Sequence, residues 1–174
     1  MRKYIISALL LCATVIAAQG QQKGHFILGG GPEYIFGKED VPSTLMYSLE
    51  AGISYNILES LRLSGSLGGF RSVMSFYKEG RQAQTGNGPM VKLGASYIFL
   101  PNGRYISPAA SFGAGYRATI PPKEDVKTTD GFFLEAGMGA DINIGGLRLN
   151  ISVKAAMTQA LNPAAGISLS VLLP

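Results

Sequence analysis

Eight stretches of this chain alternate apolar with polar residues at a period of two. A helix repeats every 3.6 residues, so each stretch reads as a strand whose two faces differ in chemistry. The clearest is 44–56. Leu45, Tyr47, Leu49, Ala51, Ile53 and Tyr55 form one face, and Thr44, Met46, Ser48, Glu50, Gly52, Ser54 and Asn56 the other. A first strand is expected over about 25–36, with Phe26, Leu28, Tyr34 and Phe36 opposite His25, Gly29, Gly31 and Glu33. Ile27 and Ile35 interrupt that pattern, and Pro32 suggests a local distortion near the rim.

The third strand begins at Leu61, with Leu61, Leu63, Gly65 and Leu67 opposite Arg62, Ser64, Ser66 and Gly68. Its phase then slips, because Phe70, Met74 and Phe76 fall on the wrong parity. A bulge at Gly68-Gly69, or an exit from the apolar layer by there, is the expectation. The fourth sets Val91, Leu93, Ala95, Tyr97 and Phe99 against Lys92, Gly94, Ser96 and Ile98. The fifth sets Ile106, Ala110, Phe112, Ala114 and Tyr116 against Ser107, Ser111, Gly113, Gly115 and Arg117. In the sixth, Leu134, Ala136, Met138, Ala140, Ile142 and Ile144 oppose Glu135, Gly137, Gly139, Asp141 and Asn143. In the seventh, Leu147, Leu149, Ile151, Val153 and Ala155 oppose Arg148, Asn150, Ser152 and Lys154. The eighth sets Ile167, Leu169, Val171 and Leu173 against Gly166, Ser168 and Ser170.

The links alternate as well. Those at 37–43, 78–88, 121–130 and 159–163 are the longer and mostly the charged ones; those at 57–60, 101–103 and 145–146 are short. Eight antiparallel strands joined in this way close into an up-and-down barrel, with both termini on the short-turn side and the longer loops opposite.

Alternation alone does not say which face is inside. Nine charges lie within the clean alternating segments: Glu33, Glu50, Arg62, Lys92, Arg117, Glu135, Asp141, Arg148 and Lys154. All share the polar face; Arg71, where the phase is lost, is the exception. The same face holds Gly52, Gly68, Gly94, Gly113, Gly115, Gly137 and Gly139. Glycine weakens a solvated strand but suits a crowded lumen. Aromatics fall at both strand ends: Tyr34, Phe36, Tyr47, Tyr116 and Phe132 toward the long loops, and Phe26, Tyr55, Tyr97 and Phe99 toward the short turns. Two belts of this kind suit two membrane interfaces. The chain is therefore expected to be an all-β, eight-stranded transmembrane barrel with lipid outside and a packed ionic lumen. A soluble lipocalin-like carrier, with the apolar face inward around an apolar ligand, is the alternative arrangement.

Met1-Arg2-Lys3 and the apolar run from Tyr4 to Ala18 read as a secretory signal peptide over 1–20, leaving a barrel over 21–174. Cys12, the one cysteine, lies inside that segment. Without Arg2 and Lys3, thirteen basic and eleven acidic residues remain, a balance of +2 that does not suggest nucleic acid as a partner.

Taken together, these residues resemble the small outer-membrane β-barrel proteins of Gram-negative bacteria, the OmpA-like and OmpX-like class. Segments such as Leu49-Glu50-Ala51-Gly52-Ile53-Ser54-Tyr55-Asn56-Ile57 and Leu93-Gly94-Ala95-Ser96-Tyr97 are similar to the porin-like barrel domains of Bacteroidota, as is the Ala18-Gln19-Gly20-Gln21 signal ending. The resemblance implies residence in the outer membrane, with its lipid and the barrel-insertion machinery as partners. Such proteins end in an aromatic residue, where this chain ends Val171-Leu172-Leu173-Pro174.

Enzyme chemistry has little to stand on. The single histidine, His25, has no serine or acid placed near it by sequence, and Glu135 and Asp141 are about 20 Å apart along one strand. No cofactor or metal is expected. The chain reads as non-enzymatic, with a structural or surface-interaction role. Lys78, Arg81, Lys123 and Asp125 are the loop residues that would meet an extracellular ligand. The lumen charges have two readings, a plug that fixes strand register or a narrow gated ion path.

Overall fold

Every alternating stretch is a strand. The computed structural model describes residues 24–37, 43–76 (74–76 as backbone only), 86–101, 103, 105–120, 131–145, 147–159 and 161–174. The expected signal peptide and the loop residues Lys78, Arg81, Lys123 and Asp125 lie outside these. In chain order the strands are β1 (Gly24–Ile35), β2 (Ser43–Asn56), β3 (Leu61–Phe76), β4 (Asn87–Ile98), β5 (Ile106–Arg117), β6 (Gly131–Ile144), β7 (Leu147–Thr158) and β8 (Pro163–Leu173). Each pairs antiparallel with the next, and β8 returns to β1, closing the barrel. Closure matters because a lipid-exposed edge would leave backbone N–H and C=O groups without partners.

The apolar face points outward. Leu49, Leu67, Leu93, Phe132, Met138 and Val153 are each more than 60 % exposed, whereas Glu50, Arg62, Arg117 and Asp141 on the opposite face are buried. A soluble carrier would need the reverse, so that alternative is corrected: the exterior is apolar and the interior polar. The aromatic residues expected in the two belts sit outside, and three neighbouring pairs meet edge to face: Tyr34–Phe36, Tyr116–Phe132 and Tyr97–Phe99.

Three local expectations need revision. Gly68 and Gly69 pair regularly with Glu50 and Leu49, so no bulge lies there. The register instead shifts between Leu45 and Met46, whose partners are Met74 and Ser72, leaving Val73 as the extra residue. Alternation runs unbroken to that point, because Phe70 and Ser72 are buried in the lumen while Arg71 is exposed outside. Second, β4, β6, β7 and β8 extend further toward the long-loop end than their alternation suggested. Third, the 99–105 link is no tight hairpin. It is longer than the 159–162 link and holds an internal turn from the Gly103 N–H to the Leu100 C=O (3.1 Å).

Glycine is required where strands approach closely. A Cβ on Gly139 would overlap the Ile151 carbonyl oxygen and lie 2.7 Å from the Ser152 Cα. In the 145–146 hairpin Gly145 has φ +56°, the left-handed conformation such a two-residue loop demands. Gly139→Val should therefore lower folding stability by about 1–3 kcal/mol through overpacking against backbone. Urea titration of the folded, fast-migrating band on an unheated gel measures this, with Val153→Leu on the exterior as the neutral control.

Candidate functional site

The lumen is built from a pairing rule visible in the strand register. The charged residues of its upper half have a glycine as a direct cross-strand neighbour. Glu50 lies between Gly29 and Gly68; Lys92 is opposite Gly115, and Glu135 opposite Gly113. Lys154 lies between Gly137 and Gly166, Glu33 is also opposite Gly166, and Arg117 is opposite Gly131. Directly opposed Cβ atoms would be only about 5 Å apart. Removing one of each pair leaves room for a long side chain to cross the lumen toward a partner on a distant strand.

Those crossings form three levels. Nearest the long loops, Arg117 Nη2 donates to both oxygens of Glu33 (2.6 and 2.8 Å), and its guanidinium lies 4.1 Å over the Phe133 ring. At mid-height, Lys92 Nζ reaches Glu50 (3.1 Å) and Glu135 (3.1 Å), while Lys154 Nζ also donates to Glu135 (3.3 Å). Ser66 donates to Glu50 Oε2 (2.8 Å). This tetrad draws from β2, β4, β6 and β7, so it ties opposite walls together. Toward the short turns, Arg62 makes a two-point contact with Asp141 (2.5 and 3.3 Å) and donates from Nε to Asn56 (3.1 Å). Asn150 adds a third bond to Asp141 (2.8 Å). A charge so placed is costly unless every group has a partner. Each level here is internally neutral.

The ninth charge differs. Arg148 donates to Asn143 (3.1 Å) and has no carboxylate within ion-pair distance among the described residues. It lines an open basin of about 160 Å³ at the short-turn mouth, with Asn56, Glu59, Ser107 and Asp141. Between the mouth and the tetrad lies a cavity of about 100 Å³. Seven serine hydroxyls face it: Ser64, Ser66, Ser96, Ser111, Ser152, Ser168 and Ser170. It is polar and roomy enough to hold several waters.

Around the Arg117–Glu33 level the lumen also holds apolar side chains. Ile35, Met46, Phe70, Met90, Phe133 and Ala164 pack together, each no more than 5 % exposed, with Ala156 against them. All lie at the long-loop ends of their strands. Alternation sets Met46 on the polar face, where it lies, but reads Ile35 and Phe70 as breaks in the pattern and leaves out Met90, Phe133, Ala156 and Ala164. A bulky apolar residue on the polar parity, recurring at the same end of successive strands, is the signal that finds them.

His25 faces the lumen near the short-turn end of β1, opposite Ser54. Glu135 and Asp141 belong to different levels, each engaged by its own cations. Among the described residues no three of His, Cys, Asp and Glu come together as a metal site.

With 98 % of its own chain covered, the N-terminal β-barrel domain of Pseudomonas aeruginosa OprF superimposes on 87 % of this chain at a TM-score of 0.58 and 16 % identity. This is the fold of an eight-stranded transmembrane barrel. A de novo designed transmembrane β-barrel (TM-score 0.46, 16 % identity, 88 % of this chain and 98 % of that one) is also similar. So is the translocator domain of the autotransporter NalP from Neisseria meningitidis (0.44, 10 %, 99 % and 98 %). No protein-family model and no curated protein matches the sequence.

The three levels generate a stability test. Arg62→Met strands the Asp141 carboxylate in the lumen and should cost about 3–5 kcal/mol, whereas adding Asp141→Leu should recover most of that loss. Urea unfolding of the single and double variants in the same detergent measures it. Equal losses in both would show that the pair is not the energetic unit.

Proposed function

We propose that this protein is a non-enzymatic integral outer-membrane barrel whose interior is a plug and whose role is structural or surface-interacting, exercised through the loops at its apolar end. The observation that carries this reading is the buried cluster of Ile35, Met46, Phe70, Met90, Phe133 and Ala164 packed around the Arg117–Glu33 pair. An ion travelling the lumen would have to part the mid-height tetrad and then the Arg117–Glu33 pair together with the buried side chains packed around it. Barrels that leave an aqueous channel generally use sixteen or more strands, because eight give an interior that side chains fill. The even strand number, the short 57–60 and 145–146 turns and the outward apolar band are features of outer-membrane barrels. In that reading the longer links, with Lys78, Arg81, Lys123 and Asp125, meet the outside.

The serine-lined cavity favours a second reading, a narrow pore in which the hydrated half of the lumen is one segment of a path. Planar-bilayer recording separates the two. Folded protein with verified heat-shifted gel mobility should give no discrete conductance steps; steps in the unmodified protein would replace the plug with the pore. Orientation has its own check. Trypsin added to intact cells should cut at Lys78 or Arg81, and complete protection of folded, inserted protein would reverse the sidedness.

A further inference from the structure

The exterior carries one misplaced charge. Among the described strand residues Arg71 is the only acidic or basic side chain that points outward, since its neighbours Phe70 and Ser72 are buried in the lumen. It is exposed and has no acidic partner among the described residues. At mid-membrane such a residue would cost roughly 2–4 kcal/mol, a penalty that falls nearly to zero at the interface. Two observations fix its level. Counting along β3 from Leu61, Arg71 is about the eleventh residue, and a tilted strand needs about nine to eleven to cross the apolar layer. Its cross-strand partner on β2 is Tyr47, a member of the aromatic belt at the long-loop end. Both place the guanidinium at headgroup depth.

Arg71 is also flanked by donors. Its direct partners are Tyr47 on β2 and Asn87 on β4, and both face outward and are exposed. Three neighbouring strands thus present a hydroxyl, a guanidinium and an amide in one row about 10 Å wide, from the ordinary strand spacing. The guanidinium fork matches two phosphate oxygens, and the flanking donors can meet the others. On the membrane side of the row the exposed Leu49, Leu67 and Val91 offer apolar surface for an acyl chain.

We propose that Tyr47, Arg71 and Asn87 form a binding site for the phosphate of an anionic lipid in the leaflet at the long-loop end. The site is independent of whether the lumen is a plug or a pore. Its test uses the full chain folded into vesicles of equal parts phosphatidylglycerol and phosphatidylcholine, released into detergent and examined by native mass spectrometry. Wild type should retain the anionic lipid over the zwitterionic one by about fivefold, the usual worth of one basic residue at an anionic surface. Arg71→Gln should bring the ratio near one, while Arg71→Lys keeps most of the preference. Heat-shifted gel mobility establishes that both variants are folded. An unchanged ratio in Arg71→Gln, or no preference in wild type, overturns the proposal. Displacement of the retained lipid by millimolar inorganic phosphate would also overturn it, because the site would then recognise the free ion.

Discussion

A backbone that crosses lipid has no water to bond with, so every strand must find hydrogen-bonding partners on both sides. With eight strands the solution is a closed ring, and the ring's width then governs everything within it. Side chains on the inner face have no bulk solvent and little spare volume. Away from the open short-turn mouth, each inward charge must find an opposite charge across the lumen, and each inward bulky group must find a gap on the facing wall. The glycines beside Glu50, Lys92, Glu135 and Lys154 are the second half of this requirement, since without them the tetrad could not close.

Whether such a tetrad stabilises the barrel is a separate matter from whether it specifies it. Desolvating four charges costs much of what their attraction returns, so buried pairs are weak sources of net stability. They are strong sources of discrimination. A one-residue slip between any two strands would send a Lys or Glu into lipid and a Leu into the polar lumen, and both errors are expensive. In the plug reading proposed above, the three ionic levels act chiefly against wrong registers. Arg62 shows the limit of the design, with all its nitrogens engaged by Asp141 and Asn56, whereas the buried Nε of Arg117 has no acceptor and the ring of Phe133 supplies part of its surroundings.

The strand count, the pairing order and the two faces were legible from alternation because lipid imposes a strict rule on one parity. The other parity is governed by packing, which obeys no such rule, and that is where reading failed. Phe70 seemed to break the phase because a lumen residue was assumed to be polar or small. Ile27 and Ile35 blurred β1 for the same reason, and the outer ends of β4 and β6 were cut short at Met90 and Phe133. Ile27 lines the serine-bordered cavity beside Leu172, whereas the others belong to an apolar cluster assembled from six strands that no single strand reveals. The nine charges were legible as a set, but their partners were not, because pairing depends on depth and on which walls face each other. Arg62 meets Asp141 across 79 residues of sequence.

The two ends of the barrel are thus chemically unlike in a way the strand pattern alone does not require. The short-turn end is the more open, with a basin, a serine-lined cavity and an arginine without a carboxylate partner among the described residues. The long-loop end is closed by buried side chains, Phe70 and Phe133 among them, and carries the exposed Arg71 outside. Along β3 the consecutive residues Phe70 and Arg71 divide the work, one turned inward to close the lumen and the other outward to the headgroups. The alternation that elsewhere sets an apolar exterior against a polar lumen is reversed at this pair, with an apolar side chain buried inside and a charged one exposed outside.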